Sequence, residues 1–288
     1  MKAAPFTLHR PATTHEAISL LSTLDNARII AGGQTLMPML AMRYVYVDHL
    51  VDLNAVEGLN EISLRDGQLC IGALVRQRDL ELSPLAFEHA PIIREALELV
   101  GHVQTRNRGT FVGSICNLDP ASEQPALAAL LNASVVVVGS SGERTLPFAD
   151  FALGFMTTAL APDEIVTEIR LQLWNRPHGY AFEEFARRHG DFAIVGTGVM
   201  VALDAHGQVE RTAAVLCGVG GVPLRLALDS VLLGTQPCDA TIRAAADLAG
   251  QIDVIEDTSA NRAYRQHLAR TLVERALRRA LSRAGAAL

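Results

Sequence analysis

Ala31-Gly32-Gly33-Gln34-Thr35-Leu36-Met37-Pro38-Met39-Leu40 decides how this 288-residue chain is read. Just before it, residues 28–31 (Arg-Ile-Ile-Ala) have the apolar, β-branched content of a short strand. Behind the glycines, the apolar run 36–42 predicts a short helix. A glycine pair between strand and helix lets the backbone take positive φ and approach a ligand closely. The N–H groups that follow then point outward, as a pyrophosphate requires. The same residues also make a plain tight turn, and the segment alone does not choose between these readings.

Outward from this turn, Thr13-Thr14-His15-Glu16 has the pattern of a capping box. Ala17, Leu20, Leu21 and Leu24 follow at helical spacing. Residues 49–53 and 68–71 read as strands, the second after the turn at Asp66-Gly67, and 91–100 reads as a helix opened by Pro91 and ended by Gly101. Residues 105–125 break every period and read as a long irregular stretch, which inside a compact chain is often functional. It contains Arg106-Asn107-Arg108-Gly109-Thr110-Phe111-Val112-Gly113-Ser114-Ile115-Cys116-Asn117-Leu118-Asp119-Pro120-Ala121-Ser122-Glu123. Here a Gly-rich bend is followed by small polar side chains and then by carboxylates. Carboxylates repel phosphate, so they suit another part of a ligand, such as ribose hydroxyls, a division of roles general to dinucleotide sites.

Residues 134–138 are a buried strand, and 164–173 alternate like another. Asn175-Arg176-Pro177-His178-Gly179 has the composition of a domain junction. Beyond it stand three strand candidates, 180–185, 193–203 and 211–219, the last two joined by a turn at 205–208. A last helix over about 260–283 puts Tyr264, Leu268, Leu272, Ala276 and Leu281 near one face. This half reads as a small antiparallel sheet with helices packed on it.

Composition excludes several classes. A net charge of −6 argues against a nucleic-acid binder. Lys2 is the only lysine, so no Walker-type phosphate loop exists. Gly218-Val219-Gly220-Gly221 is followed by Val222-Pro223 rather than a helix, which removes the Rossmann fingerprint. The histidines lack metal-ligand spacing, and no G-x-S-x-G elbow occurs. Cys70, Cys116, Cys217 and Cys238 are far apart and read as buried free thiols. Arg275, Arg278, Arg279 and Arg283 read as a solvated helix face complementing the helix dipole. No apolar run reaches the roughly 18 residues of a membrane span, and no secretory signal is visible, so a cytoplasmic location is expected.

The two glycine-rich segments, in this order, resemble the FAD-binding medium subunit of the xanthine oxidase (molybdenum hydroxylase) family, above all its carbon monoxide dehydrogenase and quinoline oxidoreductase branch. The family's first loop reads A-G-G-(H/Q)-S-L-x-P, and Ala31 to Pro38 match it nearly throughout. Its second reads R-N-x-G-T-(I/L)-G-G-(S/N)-x-x-x-x-D-P-x-x-(D/E), followed well from Arg106 to Glu123. A third, R-x-G-D-(Y/F)-A, matches Arg187 to Ala193, with Arg188 between Arg187 and His189. The likeness covers almost the whole chain.

The resemblance implies an α+β fold: a two-lobed FAD-binding domain of the vanillyl-alcohol oxidase type over 1–175, with lobes of about 1–54 and 55–175. A C-terminal α+β domain of three antiparallel strands and helices follows over 176–288. It implies that Gly32, Gly33, Gln34 and Thr35 hold the pyrophosphate from one lobe and Thr110, Gly113 and Ser114 from the other, with Ala31, Leu36, Val112 and Asn117 also among the FAD-binding residues. Asp119 and Glu123 would lie toward the ribose, Ile165 beside the adenine half and Phe192 near the isoalloxazine ring. Electrons would come from 2Fe–2S clusters on a small partner subunit, fed by a molybdopterin cofactor on a large one, in a dimer of heterotrimers. They would leave to an external acceptor, with no catalytic acid or base and no metal on this chain.

Three departures from the pattern stand out. Val112 replaces a glycine, where a β-branched residue resists positive φ and fills space next to the phosphates. Phe192 replaces a common Tyr, and Glu184 a common Lys. Val112 thereby opens the alternative of a flavin-free scaffold for the complex; a free-standing FAD oxidoreductase is the other.

Overall fold

A computed structural model describes residues 2–286. The N-terminal segment up to Asp52 forms a three-stranded parallel sheet in which His49–Asp52 lies between Thr7–His9 and Ala27–Ile30. Parallel strands need crossovers, here supplied by the helices Thr14–Thr23 and Leu36–Ala41. The first helix is capped as its sequence expects, with Glu16 N–H donating to Thr13 Oγ1 at 3.1 Å. The Glu16 carboxylate reaches one residue further back than a capping box requires and accepts from Ala12 N–H at 2.7 Å.

The middle of the chain forms a five-stranded antiparallel sheet in the order Ile62–Arg65, Gln68–Gly72, Ile165–Gln172, Ser134–Gly139, Gly142–Pro147. Its central strands carry Leu69, Ile71, Val135, Val137, Ile169 and Leu171 into one buried cluster with the helices Ile92–Leu99, Phe111–Asn117 and Glu123–Leu130. Residues 105–125, expected to be irregular, are mostly helical. Thr110 caps Phe111–Asn117, and Leu118 ends it in the left-handed region at φ 50°. Pro125 sits in the first turn of Glu123–Leu130, where its missing N–H has no helical acceptor to lose.

The C-terminal part is a four-stranded antiparallel sheet: Gly179–Phe185, Val195–Leu203, Val209–Cys217 and Leu224–Leu226, the last a short edge strand beyond the three read from the sequence. Both faces of this sheet are buried, which accounts for the nearly apolar strand Val195–Leu203, whose one polar side chain, Thr197, donates to Val215 O at 2.9 Å. Alternation sorts the residues between two cores. Ala181, Val199, Val201, Ala214 and Leu216 meet the helices Asp239–Gly250 and Arg262–Arg283. Phe182, Met200, Ala213, Val215 and Cys217 join the cluster of the first half.

Charge reinforces this seating. Arg279 and Arg283 of the last helix both pair with Glu95, at 3.2 and 2.5 Å, and the other Glu95 oxygen accepts from Phe182 N–H at 3.0 Å. Arg279 also pairs with Glu183, and Arg278 with Asp239 at 2.6 Å. Three of the four arginines expected on a solvated face are therefore ion-paired; Arg275 alone is simply exposed. Tyr264 is half exposed rather than part of the apolar face. Cys70 and Cys217 are buried, but Cys238 is exposed at the start of Asp239–Gly250. No helix among the described residues is long and apolar enough to cross a membrane.

Candidate functional site: a glycine turn seated against the segment before a capped helix

The strand Ala27–Ile30 runs directly into Ala31-Gly32-Gly33, and Gly33 takes φ +70°, a region L side chains avoid. Thr35 then begins the helix Leu36–Ala41. Among the described residues, none accepts a hydrogen bond from the backbone N–H of Gly32, Gly33, Gln34, Thr35 or Leu36. Five consecutive free donors form a concave, partly positive surface suited to an anion. The turn walls a cleft of about 460 Å³, with Ala31, Gly32, Gly33 and Gln34 on one side and Phe6, Met37, Asp52, Asn54 and Arg108 around the rest. Asp52, the carboxylate there, accepts from Asn54 N–H at 3.0 Å and pairs with Arg10 at 3.5 Å, so its charge is partly offset.

The second segment touches the first. A Cβ on Gly32 would lie 2.5 Å from Arg108 O and 2.6 Å from Gly109 Cα, so only glycine permits this approach. Arg76 fastens the contact. Its guanidinium donates to Arg108 O at 2.6 Å and to Asn54 Oδ1 at 2.5 Å, while Asn54 Nδ2 donates to Ala31 O at 2.9 Å. Burial, and then the neighbouring Arg108, lower the Arg76 pKa from its usual value. Gln77 N–H donating to Gly109 O and Phe111 N–H to Val75 O complete the seam. Neither Arg76 nor Asn54 lies in a glycine-rich motif, and sequence reasoning missed both.

The helix Phe111–Asn117 offers fewer donors than its sequence suggests. Gly113 N–H donates to Thr110 Oγ1 and Ser114 N–H to Thr110 O, so the cap consumes two of the expected groups. The N–H groups of Thr110 and Val112 are left without a protein acceptor among the described residues. Val112 is helical rather than at positive φ, so its β-branched side chain meets no backbone strain there, and it is buried in the main core. Ser114 Oγ donates to Gln124 Oε1 at 3.0 Å, tying this helix to the next, and Asn117 is half-buried at its end.

The remaining expected residues lie apart from the glycine turn. Asp119 accepts from Ala121 N–H at 2.9 Å, and burial raises its carboxyl above the usual range. Glu123 opens the helix Glu123–Leu130 and is buried. Ile165 pairs with Val138 in the central sheet and is enclosed in the core, away from the cleft lining. Phe192 is 59% exposed in the loop before Val195–Leu203.

A family profile described as the FAD-binding domain in molybdopterin dehydrogenase matches residues 4–174. The chain belongs to this family. Residues 180–280 match the CO dehydrogenase flavoprotein C-terminal domain. The chain is similar to the 6-hydroxypseudooxynicotine dehydrogenase complex subunit alpha of Paenarthrobacter nicotinovorans, at 37% identity covering 90% of this chain and 88% of that one. It is also similar to the carbon monoxide dehydrogenase medium chain of Hydrogenophaga pseudoflava, at 34% identity covering 96% and 98%. Among solved structures, quinoline 2-oxidoreductase from Pseudomonas putida 86 superposes with a TM-score of 0.94 at 32% identity, covering 99% of both chains. The protein is thus an oxidoreductase subunit with the FAD-binding domain of the molybdenum hydroxylases.

Proposed function

We propose that this chain is the electron-transfer subunit of a molybdenum hydroxylase and holds FAD between its two glycine-rich segments. The observation that carries the reading is the row of five free backbone N–H groups from Gly32 to Leu36, packed against Arg108–Thr110. Such a surface fits a pyrophosphate without needing a lysine, and Lys2 is the only one available. Gly32, Gly33, Gln34, Thr35 and Leu36 would hold the phosphates through these groups, with Thr110 and Val112 contributing from the other side. Ala31 lines the cleft, Gly113, Ser114 and Asn117 would close the site from the second segment, and Asp119 and Glu123 would lie toward the ribose. Phe192 would lie by the isoalloxazine ring, and Ile165 would support the adenine half from within the core. FAD, when bound, would supply the redox chemistry between the 2Fe–2S clusters of a small partner subunit and an external acceptor. The residues of this chain bind, orient and shield it, and none acts as acid or base.

In this reading 1–175 is the FAD-binding domain, with lobes of about 1–54 and 55–175, and 176–288 is the C-terminal domain. A large molybdopterin subunit completes a cytoplasmic dimer of heterotrimers. The relatives named above support the reading, because they are subunits or chains of dehydrogenases and an oxidoreductase. The test is to purify the complex from cells making all three subunits and assay flavin on this chain. Near-stoichiometric FAD that bleaches when the complex receives reducing substrate is expected. A complex that turns over without flavin on this chain overturns the proposal.

A further inference from the structure

The helix Glu123–Leu130 meets the C-terminal sheet through two acids. Glu123 is buried, with 4% of its surface exposed, and its acidic neighbour is Glu184, two residues on from Phe182 along the strand Gly179–Phe185 and so on the same face of the sheet. One Glu184 oxygen is buried and has no partner. Among the described residues no Lys, Arg or His forms an ion pair with either acid. The titratable neighbours are Asp119, from the turn before the helix, and Cys217, from Val209–Cys217, and neither brings positive charge. The nearest arginines serve other acids: Arg279 of the last helix pairs with Glu183 and, with Arg283, with Glu95 of Ile92–Leu99. Two carboxylates cannot both ionise in contact within a buried site that lacks a cation.

We propose that Glu123 and Glu184 hold a proton between them, and that this shared proton keeps the C-terminal domain seated on the helix Glu123–Leu130. Around the pair the domains are joined by Gly218 N–H donating to Pro120 O at 2.7 Å and by Arg225 donating to Ala129 O at 2.7 Å and Asn132 Oδ1 at 2.6 Å. Losing the proton places two charges at the centre of this seam. Burial pushes the Glu184 carboxyl up to about 7, and burial followed by Glu184 holds Glu123 well above the usual range. In the unfolded chain each carboxyl titrates near 4.5. The folded state therefore binds more protons above that pH, and stability falls as pH rises from about 4.5 through 7.

The experiment compares thermal melts of the full chain and its Glu184→Gln variant at pH 5.5 and 8.5. Glutamine keeps a hydrogen-bond donor to Glu123 but carries no titrating proton. The wild type is expected to lose roughly 2–4 °C more than the variant between the two pH values. Parallel losses in the two proteins overturn the proposal. Should Glu184→Gln fail to fold, Glu184→Lys carries the same comparison, since its ammonium would pair with an ionised Glu123. It is then expected to melt higher than wild type at pH 8.5 by more than at pH 5.5, and an equal difference at both overturns the proposal.

Discussion

The two glycine-rich segments look alike as sequence and differ as structure. Gly32 to Leu36 stays open, with five backbone donors facing no protein acceptor. Residues 110–117 instead close on themselves, because the Thr110 side chain and carbonyl satisfy Gly113 and Ser114. A glycine-rich motif therefore does not by itself supply ligand donors. What decides is whether a capping residue stands in front of it. In this protein the first segment keeps its donors free, and the second begins with the wall that Gly32 packs against.

The comparison breaks most sharply at Gly32. Gly32→Val places atoms where Arg108 O and Gly109 Cα already stand. It is expected to weaken FAD binding by about a hundredfold or more and to cost about 1–3 kcal/mol of stability, measured by flavin titration and denaturant melts. Val112→Gly tests the opposite segment. Emptying a core position inside a helix is expected to cost about 2–3 kcal/mol, with no gain in flavin affinity; tighter FAD binding by this variant would show that Val112 does crowd the site. Arg76→Met keeps much of the side-chain volume but frees Arg108 O and Asn54 Oδ1. A loss of about 1–2 kcal/mol of stability and roughly tenfold weaker FAD binding are expected. The smallest effect is expected from Thr110→Ala, which removes the cap at a cost of about 1 kcal/mol. It also frees Gly113 N–H, so flavin affinity should change less than in Arg76→Met, by the same titration.

The sequence showed more of the fold than of the site. Two strands of the parallel sheet were legible because the apolar pairs Ile29-Ile30 and Leu50-Val51 are flanked by turn signals, whereas Thr7–His9, with Leu8 its one apolar residue, was not read. The helix Phe111–Asn117 was hidden, since Gly113, Ser114 and Asn117 weaken helical periodicity while the cap that rescues it comes from Thr110. Arg76 was invisible for another reason: its role depends on Asn54 and Arg108, respectively 22 and 32 positions away, meeting it in space. The acids Glu123 and Glu184 likewise stand on two distant segments, one from each half of the fold. Glu184 is unusual in the sequence only against its resemblance to a family in which lysine is common there.

The central claim is that the open turn, rather than the capped helix, receives the pyrophosphate. The most direct measurement is backbone amide hydrogen exchange of the chain with and without FAD, resolved at Gly32–Leu36 and at Gly113–Ser114. The account predicts strong new protection across Gly32–Leu36 and little change at Gly113 and Ser114, which are already bonded. Protection gained at Gly113 and Ser114, with none at Gly32–Leu36, would contradict it.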